Sequence, residues 1–218
     1  MKIDASFVTS AAGAHDFPRE DLAAIALVGR SNVGKSTLIN ALARQRLART
    51  SAAPGKTRLA NIYRVARGGQ EPFYLVDLPG YGFAGGDNSD FDKVTRAFFG
   101  GDSQEGRERP DRAALLLVDS RHPGLDNDLA ALEWLQRTIG DDIAVVATKI
   151  DKLARGQRIR AMRELESVFD APVMPCSAVT GEGLDELWKL IDRLKNSSRK
   201  PPSLSNRPRA TERRHPRR

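Results

Sequence analysis

Nine consecutive residues carry the strongest chemistry in the chain: Gly29, Arg30, Ser31, Asn32, Val33, Gly34, Lys35, Ser36 and Thr37. They form the pattern G-x-x-x-x-G-K-[ST], a loop whose backbone N–H groups converge on phosphate. Gly29 and Gly34 let the backbone turn tightly and approach the phosphate closely. Lys35 supplies a point charge toward the β and γ phosphates, and the Ser36 hydroxyl can ligate Mg²⁺. This motif specifies a nucleoside triphosphate and leaves the base open.

Later residues narrow the choice. Asp77, Leu78, Pro79 and Gly80 follow an apolar run, 41 positions after Ser36. An acid there can hold Mg²⁺, and the Gly80 N–H can sense a γ phosphate. Thr148, Lys149, Ile150 and Asp151 end another apolar run. One carboxylate at Asp151 accepts both N1–H and the 2-amine of guanine, whereas adenine would leave it unpaired. The Lys149 stem can lie along the base. Cys176, Ser177 and Ala178 can present a backbone N–H to the guanine O6. Between the first two motifs lies Pro54, Gly55, Lys56, Thr57, Arg58 and Leu59. A threonine here can complete the Mg²⁺ shell only when a triphosphate is bound. Thr57 is the expected one, weighed against Thr50 and Ser51. Lys35, Asn32 and Thr57 are the expected catalytic group.

These motifs need strands to end at them and a helix to begin at Lys35. Ala23–Val28, Asn61–Val65, Phe73–Val76, Ala113–Val118, Ile143–Ala147 and Val173–Cys176 read as short buried strands. Lys35–Ala43, Asp90–Phe99, Leu125–Thr138, Ala154–Phe169 and Leu184–Lys195 read as helices. The alternation predicts an α/β fold, a three-layer P-loop domain with a mostly parallel sheet and helices on both faces. Three segments are expected: an irregular leader over 1–21, the nucleotide domain over 22–196, and a disordered basic tail over 197–218.

Composition fits one folded unit of 218 residues that are 40% apolar. No run is long and apolar enough to span a membrane, and the first residues do not read as a secretory signal. One cysteine excludes an internal disulfide framework and a Cys-based zinc cluster. A cytoplasmic monomer is the expectation. The chain holds 35 basic and 28 acidic residues. Eight of the basic residues and one acid, Glu212, fall in Arg199–Arg218, which leaves 1–198 with 27 of each. The tail therefore reads as a polyanion contact, weighed against a merely solubilising appendage. Arg155, Arg158, Arg160 and Arg163 share a helix with Glu164 and Glu166 and read mainly as a solvated face. Arg44, Arg46 and Arg49 flank the first switch.

The set Gly29–Thr37, Pro54–Arg58, Asp77–Gly82, Asp119–His122 and Thr148–Asp151 resembles the EngB (YihA/YsxC) family of bacterial GTPases, relatives of Era, EngA and TrmE. The resemblance covers residues 22–195. It implies a Ras-like fold, Mg²⁺-dependent GTP binding, a part in large ribosomal subunit assembly with rRNA and protein partners, and a need in cell division and septation. Two departures from the wider GTPase pattern stand out. Thr148 replaces a common asparagine and so removes an amide that braces the phosphate loop. Tyr81 replaces the glutamine that orients water, so hydrolysis is expected to be slow. Asn32 stands where TrmE-like relatives bind K⁺, against the plainer role of a loop brace. His122 reads as structural or docking rather than as a base. Two other functions compete: a P-loop ATPase, and an RNA-binding protein whose nucleotide is only structural.

Overall fold

The structure is a computed structural model. It describes residues 2–49, 59–82, 89–100 and 112–197. Seven strands form one sheet: β1 (Ile3–Ala11), β2 (Ala24–Gly29), β3 (Ala60–Arg67), β4 (Phe73–Asp77), β5 (Arg112–Asp119), β6 (Ile143–Thr148) and β7 (Val173–Pro175). Their spatial order is β1-β3-β4-β2-β5-β6-β7. Only the β1–β3 and β3–β4 pairs are antiparallel. Among the described residues five α-helices complete the unit: α1 (Lys35–Ala43), α2 (Ser89–Gly100), α3 (Asp126–Ile139), α4 (Arg155–Phe169) and α5 (Leu184–Ser197). The expected α/β fold with a mostly parallel sheet is what forms.

The two faces of the sheet are sorted by a period of two. On β2 and β5, Ile25, Leu27, Leu115 and Leu117 face a core shared with α1 and α5. Ala24, Ala26, Leu116 and Val118 face the opposite core, under α3 and α4. Every residue of β2 is buried, which is why this strand reads as an unbroken apolar run. Helix α1 presents Leu38, Ile39 and Leu42 to the first core, each essentially inaccessible. Burying such side chains stabilises by about 1.5–3 kcal/mol each. This packing holds the start of α1 against the end of β2, where the phosphate loop must sit.

The expected irregular leader over 1–21 is a correction. Residues Ile3–Ala11 pair with β3 across the full strand, from Ile3 opposite Arg67 to Ala11 opposite Ala60. Ile3-Asp4-Ala5-Ser6-Phe7 alternates apolar and polar, the pattern of a half-buried edge strand. Ala5 is buried while Phe7 is 52% exposed. A single turn at Ala14–Asp16 follows. Of the expected tail over 197–218, Ser197 instead ends α5, and residues 198–218 lie outside the described residues, as do the loop residues Thr50, Ser51, Pro54, Gly55, Lys56, Thr57 and Arg58.

Candidate nucleotide site

The carboxyl ends of β2, β4, β5 and β6 converge, and the motifs stand on them. In this kind of sheet that edge is where ligands bind. Gly34 adopts φ 112, a backbone region that side chains rarely tolerate, and caps the start of α1. The free N–H groups of that first turn point at the loop. The Lys35 ammonium folds into the loop and donates to the Gly29 carbonyl at 3.0 Å and the Arg30 carbonyl at 3.3 Å. Only 7% of Lys35 is accessible. Burial lowers its pKa, and the Asp77 charge works in the other direction.

Asp77 ends β4 with 2% exposure. The Ser36 hydroxyl donates to its Oδ2 at 2.9 Å. Its Oδ1 is buried with no hydrogen-bond partner among the described residues. Burial raises the Asp77 pKa, against Lys35 and Ser36, which favour the charged form. An orphaned buried carboxylate oxygen beside a serine hydroxyl is a hard-oxygen donor pair, so these residues fit Mg²⁺.

Gly80 lies directly against the phosphate loop. A Cβ there would stand 2.7 Å from the Ser31 nitrogen and 2.9 Å from its Cα. The two segments are joined: Ser31 N–H donates to the Tyr81 carbonyl at 3.0 Å, and Arg30 pairs with Tyr81 as an isolated bridge. Leu78 is fully buried and holds the segment in the core. The Tyr81 side chain points inward, 5% exposed, and its hydroxyl donates to Asp128 Oδ1 at 2.8 Å. Burial and then the Asp128 charge push the phenol far up. Tyr81 is thus committed to Asp128 and offers no base to a water.

At the other end of the site, Thr148 stands opposite Asp119 in the β5–β6 register. The Thr148 hydroxyl lies 2.8 Å from the Val33 carbonyl and 3.1 Å from the Val118 carbonyl, its single proton serving one of them at a time. The expected loss of a brace is therefore corrected: the shorter hydroxyl still ties the phosphate loop to β6. Lys149 takes a left-handed φ of 60. Its ammonium donates to the Asn32 carbonyl at 2.6 Å and to Asp119 Oδ2 at 2.9 Å. Arg121 grips Asp119 through Nε at 2.9 Å and Nη2 at 2.7 Å. Burial would raise the Asp119 pKa, but Arg121 and Lys149 more than reverse it and hold the carboxyl well below its usual range.

The Ser177 hydroxyl donates to Asp151 Oδ1 at 2.7 Å and lowers the pKa of that carboxyl. The Thr180 N–H in turn donates to Ser177 Oγ at 3.1 Å. Asp151 is thus fixed by Ser177 on one oxygen, with Lys152 3.5 Å from the other. Ile150 is buried beneath it. The Cys176 N–H donates to the Ala147 carbonyl, which fixes the start of the Cys176-Ser177-Ala178 segment. Cys176 itself is a buried structural residue, its thiol pushed up to about 12 by burial. Thr37 lies exposed on α1, and Leu59 is 41% exposed at the edge of the undescribed loop. Asp128 was not legible as a site residue, and Asp119 carried no role beyond its motif. An acid ending a strand in register with Thr148 was the available signal.

The family described as a 50S ribosome-binding GTPase matches residues 24–149. The probable GTP-binding protein EngB of Heliobacterium modesticaldum is 41% identical over 201 residues, which cover 88% of this chain and 93% of that protein. Its counterpart in Clostridioides difficile is 40% identical over 201 residues, with 88% and 93% covered. Among solved structures, a probable GTP-binding protein EngB aligns with TM-score 0.56 at 21% identity, over 80% of this chain and 99% of that one. Aquifex aeolicus Era bound to GDP and AlF4⁻ aligns with TM-score 0.60 at 22% identity, over 79% and 57%. At such identities the structural likeness speaks for the fold alone, and the sequence matches carry the family. The chain belongs to the EngB family of GTP-binding proteins and is a GTP-hydrolysing enzyme.

Proposed function

We propose that this protein is a cytoplasmic GTP switch that acts in assembly of the large ribosomal subunit and is needed for normal cell division and septation. The description of the matched family, a 50S ribosome-binding GTPase, supports the ribosomal part of that reading. The site residues take the following roles in it. The phosphate loop, Gly29 to Thr37, wraps the triphosphate through backbone N–H groups. Lys35 leaves its carbonyl partners to neutralise charge on the β and γ phosphates. Ser36, Asp77 and Thr57 hold Mg²⁺, which would supply charge neutralisation at the transferred phosphoryl group. Gly80 N–H meets the γ phosphate, and Asp151 reads guanine with Ser177 behind it. Gly55, Lys56, Arg58 and Leu59 flank Thr57 in the first switch.

Hydrolysis is slow in this reading, because Tyr81 is locked onto Asp128 and no glutamine stands in its place. Purified protein should turn over near ~10⁻⁴ s⁻¹, and a rate of about 1 s⁻¹ would overturn the point. Asn32 sits in a left-handed φ of 64 beside the phosphate position. K⁺ held there would add positive charge to the transition state. Equal turnover in K⁺ and Na⁺ buffers would remove that role.

The test of the switch is co-sedimentation with large subunits under GDP and under a non-hydrolysable GTP analogue. A switch requires different affinities, since a ligand shifts a conformational equilibrium only through differential binding. Equal affinity would support the constitutive RNA-binding reading. ATP displacing labelled GTP at equal concentration would support the ATPase reading instead.

A further inference from the structure

Helix α4 begins against the direction of its own dipole. Helices α3 and α5 place acids in their first turns, Asp126 with Asp128 and Asp185 with Glu186, as a positive helix start favours. The first turn of α4 has no acid. Arg155, Arg158, Arg160 and Arg163 come instead, with no acid before Glu164. A local rule broken without a local gain marks a place where another requirement acts.

The four arginines divide in two. Arg158 is claimed inside the protein, donating through Nη1 to Glu182 Oε2 at 3.0 Å, and so ties α4 to the loop after Ser177. Arg155, Arg160 and Arg163 are exposed, and none enters an ion pair among the described residues. Glu164 and Glu166 lie later on the helix, exposed and likewise outside any ion pair among the described residues. The cancellation expected from composition is therefore not realised by contact. Arg155 and Arg163 are about 12 Å apart along one side of the helix. Arg160 stands beside that line.

These three guanidinium groups are planar forks that match phosphate oxygens. A regular phosphodiester backbone offers such groups in series. A lipid surface fits less well, because the apolar side of α4, with Ala161, Leu165 and Phe169, is already buried in the core. Ile159 alone, 49% exposed, gives lipid nothing more to bury. We infer that the outward face of α4, carried by Arg155, Arg160 and Arg163, docks the phosphodiester backbone of structured RNA. The inference rests on the ribosome-docking reading above and names a surface for it within the folded domain.

The test uses the full chain with Arg155→Gln, Arg160→Gln and Arg163→Gln combined. Glutamine keeps the helix, and the GTP affinity of the variant should equal that of the parent. Binding to large ribosomal subunits should fall by at least about tenfold, and the slope of log affinity against log salt should lessen by about 2–3. The opposite variant, Glu164→Gln with Glu166→Gln, should bind more tightly. Unchanged affinity and slope in the triple variant would overturn the surface while the switch reading stands. If the parent protein itself fails to sediment with subunits, the switch reading falls. A ribosomal RNA duplex then decides the surface: weaker binding by the triple variant sustains it, and equal binding overturns it. Arginine-dependent binding to phosphatidylserine–phosphatidylcholine vesicles, with no effect on RNA, would also overturn it.

Discussion

The two ends of the proposed nucleotide site are built on opposite electrostatics. At the phosphate end, burial works against both charges, lowering the Lys35 pKa and raising that of Asp77. One Asp77 oxygen has no partner among the described residues. At the base end, Asp119 and Asp151 are held below their ordinary range by hydrogen bonds from Arg121, Lys149 and Ser177. The base end is complete without a ligand, and the phosphate end is not. A finished pocket selects, because its polar groups already sit where only the right base can meet them. An unfinished one responds, because an arriving charge relieves an existing cost. Lys149 belongs to both, with its ammonium shared between Asp119 and the carbonyl of Asn32.

Five variants would break or sharpen this contrast. The largest effect belongs to Asp151→Asn, which should weaken GTP binding by at least about 10³-fold. An amide suits the N1–H and C2 carbonyl of xanthine, so XTP should gain what GTP loses. Retained GTP affinity in a fluorescence titration would mean that the base end is misplaced. Next comes Lys35→Met, expected to cost on the order of 10²-fold in GTP affinity. An unchanged GTP affinity would mean that the phosphate end is not the responsive one.

Tyr81→Phe removes the donor to a buried carboxylate and should destabilise the nucleotide-free protein by about 2 kcal/mol. At about 2–4 °C per kcal/mol, its midpoint should fall by about 4–8 °C. An unchanged midpoint would show that Asp128 finds another donor. The smallest effects are in pH dependence, and they have opposite signs. Burial raises the Asp128 pKa in the fold, against the Tyr81 hydroxyl, which favours the charge. Its contribution is therefore present below the unfolded value of about 3.9 and lost as pH rises through the folded one. Denaturant melts of Asp128→Asn should lack that loss. The Asp119 pKa is depressed, so its contribution is present above about 3.9 and lost as pH falls. Asp119→Asn should cost about 1 kcal/mol at neutral pH, discounted because Arg121 is 40% exposed, and should flatten the acid side of the curve.

Much of this arrangement was legible because its residues are contiguous. Gly29 to Thr37 is one loop, and the strand that delivers it is apolar on both faces, so the turn from Val28 to Lys35 could be read directly. Helix α1 runs over the expected residues for the same reason. Three features were hidden by distance or size. The partner of Tyr81 lies 47 residues away on another helix, where Asp128 looks like an ordinary helix-start acid. The Thr148 hydroxyl reaches Val33 across 115 positions, a closeness of the phosphate loop to the end of β6 that the missing amide alone does not reveal. The first strand alternates correctly, but Asp4 and Ser6 dilute it and Ala5 contributes little apolar surface. A half-exposed edge strand gives a faint period-two signal.

The lone thiol gives this protein a built-in clock. Cys176 is 1% exposed and sits under the segment that would face the base. A thiolate is the reactive form, and burial has pushed its formation up to about 12. An alkylating probe should therefore modify the native chain only while the strand end beneath the base pocket swings open. The rate of that modification counts openings, molecule by molecule, at one address. Bound GTP should slow it and GDP should slow it to a different degree, so the protein reports the breathing of its own pocket with no label added.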